Sequence, residues 1–421
     1  MNPPPLATKD ESMSDIPQKT ALHARHLGLG GTMAPFGGWD MPLWYKAGAI
    51  KEHLAVIQAA GLFDTSHMDV IFVSGSGARK FLNFAYTRDI SDLRTGRCGY
   101  GAFLNARGGS IDDAIIYPLD EQRFAVVLNA SMAGPVMKHL AVLPGADAVR
   151  IDAAEPRLAK LDIQGPASAS IVRGMLRDAG RVLEKFPYFS FKGDFDLARS
   201  DVALADGTPI LLSRTGYTGE LGFEIFLPLD KAGQFWDALL AEHAGAGLLP
   251  CGLAARDSLR AGAVLPLSHQ DIGDWPFINH PWPFALPLDE YGVFSKDFFG
   301  SGALDATTAP HTFAFVGHDP RRVDGHEATV VFDGREIGGV TSIVSDMAIG
   351  RVDGRVVSLS SPDKPEGWTP RGLACGFIRV REKLAPGTSV ILKDKRREIQ
   401  VETALDIRPH RTARKKLSDF L

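Results

Sequence analysis

Hydrophobic residues recur along the chain with two periods, one typical of helices and one typical of strands. In segment 50–60, Ile50, Leu54 and Ile57 follow the three- and four-residue spacing of one helical face. Segments 231–243 and 253–263 also predict helices, whereas short apolar runs at 70–73, 115–117 and 124–128 predict strands. This mixture predicts an α+β body.

The last third of the chain has a different pattern. Turn residues separate short β-rich runs at 312–316, 328–332, 339–344, 373–380 and 389–392, which predict a small antiparallel β-barrel or sandwich. Segment 270–302, before these runs, is dense in proline and aromatic residues and predicts a domain connection. We therefore divide the chain into a loose tail at 1–18, a body at 19–290, a β domain at 291–407 and a basic tail at 408–421.

Composition narrows the possible partners and the compartment. The 421 residues carry a formal net charge of -4, which favours neither nucleic acid nor an anionic membrane surface. Three distant cysteines form no CxxC pair, which fits a reducing compartment, and the N-terminus has no apolar segment typical of a signal peptide. No run reaches the roughly 18 to 20 apolar residues of a membrane span. We expect a soluble, cytoplasmic protein.

The basic tail contains Arg408, His410, Arg411, Arg414, Lys415 and Lys416. A solvated surface is the more common explanation for such a run, and a docking patch for an acidic partner protein is the alternative.

A first candidate site follows a glycine turn. Segments 99–105 and 110–117 predict two strands joined at Gly108 and Gly109. Side chains alternate along a strand, so Asp113 and Tyr117 share one face while Asp112 lies on the other. A partly desolvated carboxylate beside apolar residues binds nitrogen donors strongly and can move protons. A polar turn with one capped carboxylate is the alternative.

A second candidate site is Glu224, in a hairpin that spans 214–225 and returns into a strand. Its carboxylate needs a charged partner if the strand faces a cavity, and we expect Arg256 or Arg260 on the neighbouring predicted helix to supply it. A structural salt bridge between hairpin and helix is the alternative.

Other motifs give little evidence for a nucleotide-binding, hydrolase or metal site. The glycine-rich fragments lack the full spacing of a nucleotide-binding fingerprint, and no G-x-S-x-G elbow is present. His53 and His67 have no companions at metal-ligand spacing, so we expect no metal site and treat both as structural histidines.

Several motifs together resemble the glycine-cleavage T-protein family of aminomethyltransferases. They are FGGWDMPL at 36–43, EHLAV at 52–56, AGLFDTSHM at 60–68 and PCGLAARDSLR at 250–260. The resemblance is close over residues 20 to 265 and looser beyond. It implies a three-lobed, cloverleaf-like fold with two lobes in the body, a small β-barrel as the third lobe, and a central channel that holds tetrahydrofolate.

The resemblance also implies roles for individual residues. Asp113 matches the family's essential carboxylate near the reactive folate nitrogens. Three tyrosines match ring-contacting positions: Tyr100, Tyr117 and Tyr217.

Four further positions match the family's folate cavity. Met68 and Asn129 match cavity-lining residues. Glu224 matches the residue that binds the pterin edge through paired hydrogen bonds, and Arg256 matches an arginine near the glutamate tail.

Three functions are compatible with this resemblance. The first is transfer of an aminomethyl group from the lipoyl arm of a carrier H-protein to tetrahydrofolate, with release of ammonia. The second is demethylation of a small sulfonium, amine or aryl ether, with tetrahydrofolate as acceptor. The third, a non-enzymatic folate-binding relative, is disfavoured because Asp113 is present and that class's cysteine signature is absent.

The chain departs from the family pattern at 270–289, where aromatic residues cluster, and at 344–368, which is expanded. The aromatic cluster favours a cationic or aryl donor if it faces the cavity. A packed linker is the alternative.

Overall fold

A computed structural model describes residues 16–154 and 157–421. In chain order, its strands are β1 (Thr32–Phe36), β2 (Trp39–Trp44), β3 (Ala60–Asp64), β4 (Asp69–Ser74), β5 (Gly99–Leu104), β6 (Ser110–Pro118), β7 (Arg123–Leu128), β8 (Arg150–Ala153), β9 (Leu158–Gln164), β10 (Phe191–Lys192), β11 (Leu211–Ser213), β12 (Gly222–Pro228), β13 (Leu248–Pro250), β14 (His311–Gly317), β15 (Thr329–Phe332), β16 (Arg335–Asp346), β17 (Ile349–Val352), β18 (Arg355–Ser358), β19 (Leu373–Val380), β20 (Ser389–Lys393) and β21 (Glu398–Ala404).

The α-helices lie between these strands. They are α1 (His23–Gly28), α2 (Ala49–Gln58), α3 (Ala78–Ala85), α4 (Ala133–Leu140), α5 (Ser168–Met175), α6 (Ala179–Leu183), α7 (Leu229–His243) and α8 (Leu253–Gly262).

The first lobe is a five-stranded antiparallel sheet in the order β5-β6-β7-β4-β8. Helices α3 and α4 cover one face because each presents apolar residues at helical spacing, such as Phe81, Leu82 and Ala85 on α3. These residues pack against Ile116 and Val126 from the sheet. The opposite face of the sheet turns towards the other lobes.

The second lobe is a six-stranded sheet in the order β10-β11-β12-β9-β3-β13. Its core contains Phe223 and Ile225 from β12, Ile163 from β9, and Trp236 from α7. Because side chains alternate along β12, Glu224 points away from this core.

The third lobe is a closed barrel in the order β14-β19-β16-β15-β20-β21. Apolar side chains from its strands fill the interior, including Phe315, Val330, Ile378, Leu392 and Val401. The prediction of an α+β protein with a small C-terminal antiparallel barrel is confirmed.

The connection before the barrel is packed. Phe277 and Trp282 are buried in the core that joins the first lobe to the barrel, and the Trp282 indole N–H donates to the Val264 carbonyl at 2.8 Å. These two aromatic residues therefore pack in the core, as expected from the alternative in which the segment is a packed linker.

The expectation that the basic tail is a solvated surface is wrong at Arg408. Its guanidinium is buried between the lobes and pairs with Asp346 and Glu220. Further along, Leu417 packs in the core of the second lobe, so the end of the chain also contacts that lobe. Residues 1–15 of the predicted N-terminal tail lie outside the described residues.

Candidate active site

A cavity of about 540 Å³ lies where the three lobes meet. The first lobe contributes Tyr100 and Asp113, the second contributes Glu224, and the barrel contributes Thr341 and Arg379. Its volume is within the range of about 300–1,000 Å³ that is usual for small-molecule sites. The fold thus builds one shared site from distant parts of the chain.

Asp113 projects from β6 into this cavity. One carboxylate oxygen accepts a hydrogen bond from the Tyr100 hydroxyl at 2.8 Å, and the other accepts one from the Asn129 side-chain amide at 2.8 Å. Asp112, on the opposite face of β6, is fully buried. Asp113 is therefore the member of the acidic pair that a ligand can reach.

Two of the three predicted tyrosines line the cavity. Burial, together with the charge of Asp113, raises the pKa of Tyr100, so its hydroxyl keeps its proton and acts as a donor. Tyr217 also lines the cavity, and the Arg256 guanidinium carbon lies 4.9 Å from the centre of its ring.

Tyr117 lies on the same face of β6 as Asp113 but does not line the cavity. It is fully buried between the lobes, with its ring centre 5.2 Å from that of Phe191 and 5.3 Å from that of Phe195. The structure therefore places Tyr117 in packing beneath the site.

Met68 and Asn129 both line the cavity, as does His67 beside Met68. Burial and the charge of Arg256 lower the pKa of His67 to about 3, so its imidazole is neutral near pH 7. Its Nδ1 has no hydrogen-bond partner within the described part of the chain. His67 thus carries a buried polar atom beside the cavity that is unpaired among the described residues.

The prediction that Arg256 or Arg260 pairs with Glu224 is wrong. One carboxylate oxygen lies 2.5 Å from Lys160 Nζ, and the other accepts a hydrogen bond from the Thr215 hydroxyl. Lys160 comes from the neighbouring strand β9 and also lies 2.7 Å from Asp162. The lysine reaches Glu224 because β9 and β12 pair directly.

The two arginines of α8 have other partners. Arg256 Nη1 lies 3.0 Å from Asp162, and the buried Arg260 pairs with Asp257 and Asp271. Although burial opposes its ionisation, the charges of Lys160 and Arg256 hold the pKa of Asp162 below its usual value. The floor of the site is thus a charge-balanced network in which Lys160 and Arg256 pair with the carboxylates of Asp162 and Glu224.

Sequence reasoning missed Lys160 and Asp162 beneath the cavity and His269 at its wall. The alternation of Lys160 and Asp162 with apolar residues along β9 was a usable signal for a polar face. No local pattern distinguished His269, which lines the cavity from the connection after α8. Trp275 and Phe284, from the predicted aromatic cluster at 270–289, do face the cavity.

Residues 16–154 and 157–421 contain no group of three or more His, Cys, Asp or Glu side chains placed to hold a metal ion. Among these residues, no helix has the length and apolar character needed to cross a membrane.

The chain is similar to known proteins over most of its length. The family model described as the GCVT N-terminal domain matches residues 22–275. An aminomethyltransferase of Streptomyces avermitilis is 39% identical over 347 residues, which cover 80% of this chain and 88% of that protein. An aminomethyltransferase of Deinococcus deserti is 36% identical, with 79% and 86% covered.

A solved structure agrees with these sequence matches. The glycine cleavage system aminomethyltransferase T from Bartonella henselae superposes with a TM-score of 0.72 and 28% identity, covering 92% of this chain and 96% of that one. The chain therefore belongs to the GCVT family, a family of one-carbon transferase enzymes.

Proposed function

We propose that this enzyme transfers the one-carbon unit of an aminomethyl-lipoyl carrier protein to tetrahydrofolate, with release of ammonia. The observation that carries the proposal is the position of Asp113, an accessible carboxylate in a cavity shared by three lobes. Membership of the GCVT family and similarity to proteins named aminomethyltransferases support the same reaction.

The residues of the cavity fit a reduced folate. A pterin edge presents neighbouring N–H donors, and the Glu224 carboxylate is an acceptor that lines the cavity and is anchored from behind by Lys160. Tyr100 and Tyr217 offer ring contacts, and the Arg256 guanidinium is available to a carboxylate of the ligand. Bound tetrahydrofolate supplies the nitrogen that accepts the one-carbon unit.

Asp113 contributes electrostatic stabilisation and proton transfer. Tyr100 and Asn129 fix one carboxylate oxygen each, so the group stays oriented towards the cavity. A carboxylate held in this way stabilises the positive charge that develops on the attacking folate nitrogen and then accepts its proton. Precise orientation of this kind accounts for several kcal/mol of a reaction barrier, about 7–11 in favourable cases.

A second candidate function is favoured by the aromatic residues of the cavity wall. Trp275 and Phe284 line the cavity, and the ring centres of Phe284 and Tyr100 are 5.8 Å apart. Aromatic faces attract cationic groups, so this wall is also compatible with a small methylated sulfonium or amine as donor. In that case the chain is a tetrahydrofolate-dependent demethylase.

Product analysis tests the proposal. Purified protein is mixed with tetrahydrofolate and either an aminomethylated lipoyl carrier protein or a panel of small methylated sulfonium, amine and aryl ether donors. We expect methylene-tetrahydrofolate and ammonia with the carrier protein. Methyl-tetrahydrofolate formed from a small donor, with no product from the carrier, would replace the first function by the second.

A further inference from the structure

His269 occupies an unusual position beside the acidic pair of β6. Its backbone has φ +60°, a left-handed conformation that few residues other than glycine adopt, with asparagine, aspartate and histidine the most frequent among them. The imidazole lines the same cavity as Asp113. Its Nε2 lies 3.4 Å from Asp112 Oδ1, and its side chain is 40% exposed. The turn thus holds an accessible imidazole against a buried carboxylate.

Asp112 is linked to Asp113 through a single amide. Asn129 Nδ2 donates to Asp112 at 2.8 Å and to Asp113 at 2.8 Å. Asp112 also accepts hydrogen bonds from the Asn129 backbone N–H at 3.0 Å and from the Ser268 hydroxyl at 3.2 Å. The two carboxylates therefore share the neutral Asn129 amide. A positive charge on the neighbouring His269 imidazole offsets their mutual repulsion.

The charged groups that face the His269 imidazole are Asp112 and Asp113 on β6. On its own turn, Asp271 is occupied by Arg260 and by the hydroxyls of Thr341 and Ser342.

These surroundings favour the protonated imidazole. The contact with the Asp112 carboxylate raises the pKa of His269, and this effect, with the charges of both carboxylates, outweighs the opposing effect of burial. Burial and the nearby charge of Asp113 in turn raise the pKa of Asp112. Both shifts favour a proton held by the His269–Asp112 pair at the cavity wall, whereas burial disfavours a proton on the His67 imidazole.

We infer that His269 is a further catalytic residue, the proton donor to the leaving atom of the one-carbon donor, and that Asp112 holds its imidazole in place. This inference rests on the proposed one-carbon transfer and applies to donors whose leaving atom takes up a proton, namely the aminomethyl carrier, a neutral amine or an aryl ether. In these donors, the bond between the transferred carbon and a sulfur, nitrogen or oxygen atom must break, whereas a sulfonium leaves as a neutral thioether and takes up no proton.

The proton transfers balance in this arrangement. His269 gives its proton to the donor atom that leaves with the electron pair of the broken bond. Asp113 takes the proton released by the acceptor nitrogen, to which the transferred carbon becomes bonded. For each donor bond broken in this way, one carbon–nitrogen bond forms, one proton enters and one leaves, so no oxidant or reductant is needed. With the aminomethyl carrier this exchange occurs twice, once with loss of the lipoyl sulfur and once with loss of ammonia. Solvent at the exposed imidazole restores the starting protonation of both residues.

A titration that does not depend on turnover tests the pairing. The pH dependence of the His269 ring signal is followed by NMR in the full-length protein and in Asp112→Asn, and His269→Asn serves to assign the signal. We expect a titration midpoint above the ordinary value of about 6.5, which falls when Asp112 is neutralised. An ordinary midpoint that is unchanged in Asp112→Asn would overturn the inference.

Rate measurements test the proton transfer itself. His269→Gly and His269→Asn both suit the left-handed backbone, so both variants are expected to fold. General acids contribute about 10²–10⁴-fold, so we expect a loss of at least about 100-fold in kcat. In the wild-type protein, the rate should fall as pH rises through the titration of His269. We expect this fall to be absent from both variants. His318→Asn, which changes a barrel histidine 3.8 Å from Glu402, is the matched control and should retain full activity.

The two proposals fail in different ways. Absence of a folate product with every donor would reject the proposed function, while the titration would still decide the His269–Asp112 pairing. Full activity in His269→Gly with an unchanged pH profile would reject His269 as proton donor while leaving the one-carbon transfer intact.

Discussion

Replacing Arg408 with methionine should destabilise the whole protein, because this side chain joins the lobes. Its guanidinium lies 2.5 Å from Asp346 on β16 and 3.2 Å from Glu220 in the loop before β12. It also donates to the carbonyls of Thr218 and Leu259. The exposed fraction of the arginine and of both carboxylate side chains is 1% or less. Methionine retains most of the apolar stem but leaves two buried acids without their common cation.

The contacts that remain set the size of the effect. Breaking a buried ion pair by removing one partner costs about 3–5 kcal/mol. Asp346 keeps His53 at 2.9 Å, and Glu220 keeps the Thr412 hydroxyl at 2.7 Å, so neither acid is left without a partner. We therefore expect a loss of about 3 kcal/mol in the free energy of unfolding, at the lower end of that range.

The loss of stability in Arg408→Met should depend on pH, and the pKa of Asp346 sets the direction of that dependence. Burial opposes ionisation of Asp346, but the charges of Arg408 and His53 hold its pKa well below the usual value. A lowered carboxyl pKa contributes stability that is present above the unfolded pKa of about 3.9 and is lost as pH falls towards the folded pKa. In Arg408→Met, Asp346 accepts a proton more readily. The difference from wild type should therefore be largest near pH 7 and should narrow below about pH 4.

Urea unfolding at pH 7 and pH 4, followed by circular dichroism, measures both quantities. Arg411→Met is the matched control, because its pair with Asp406 is partly exposed, at 28% and 52%, and such pairs contribute less than about 1 kcal/mol. Equal stability of Arg408→Met and wild type at pH 7 would refute the idea that this arginine joins the lobes.

Three further substitutions test the site. Asp113→Asn should lower turnover by about 100-fold or more while the folate Kd, from calorimetry, stays within a few-fold; unchanged turnover would remove Asp113 from the mechanism. Tyr100→Phe removes a hydrogen bond to a charged group, so kcat/KM from steady-state rates should fall by about 10- to 100-fold; wild-type kinetics would show that the Asp113 carboxylate needs no such anchor. Lys160→Met leaves Glu224 without its cation, so the folate Kd should rise by about tenfold; an unaltered Kd would argue against Glu224 as a pterin ligand.

Much of the fold was predictable because periodic patterns report local burial. The predicted strand at 373–380 coincides with β19, and the helix predicted at 253–263 ends within one residue of α8. Alternation along β6 also separated the accessible Asp113 from the buried Asp112. Both successes depend on information within one element.

The errors arose where contacts join distant segments. Lys160 is 64 positions from Glu224, and only the pairing of β9 with β12 brings them together. Arg408 lies in a basic stretch that looks solvated, yet the turn after the barrel inserts it between the lobes. Tyr117 follows the alternation correctly but lies below the cavity, because Phe191 and Phe195 of the second lobe pack against it. Neither composition nor periodicity contains these distances.

A crystal structure of the protein with tetrahydrofolate bound would test the central claim most directly. We predict that the pterin edge is hydrogen-bonded to the Glu224 carboxylate. We also predict a reactive folate nitrogen within hydrogen-bond reach of Asp113, about 2.6–3.2 Å or through one water molecule. Folate bound outside the cavity between the three lobes would contradict the account. So would folate bound inside the cavity with Asp113 turned away from the reactive nitrogen.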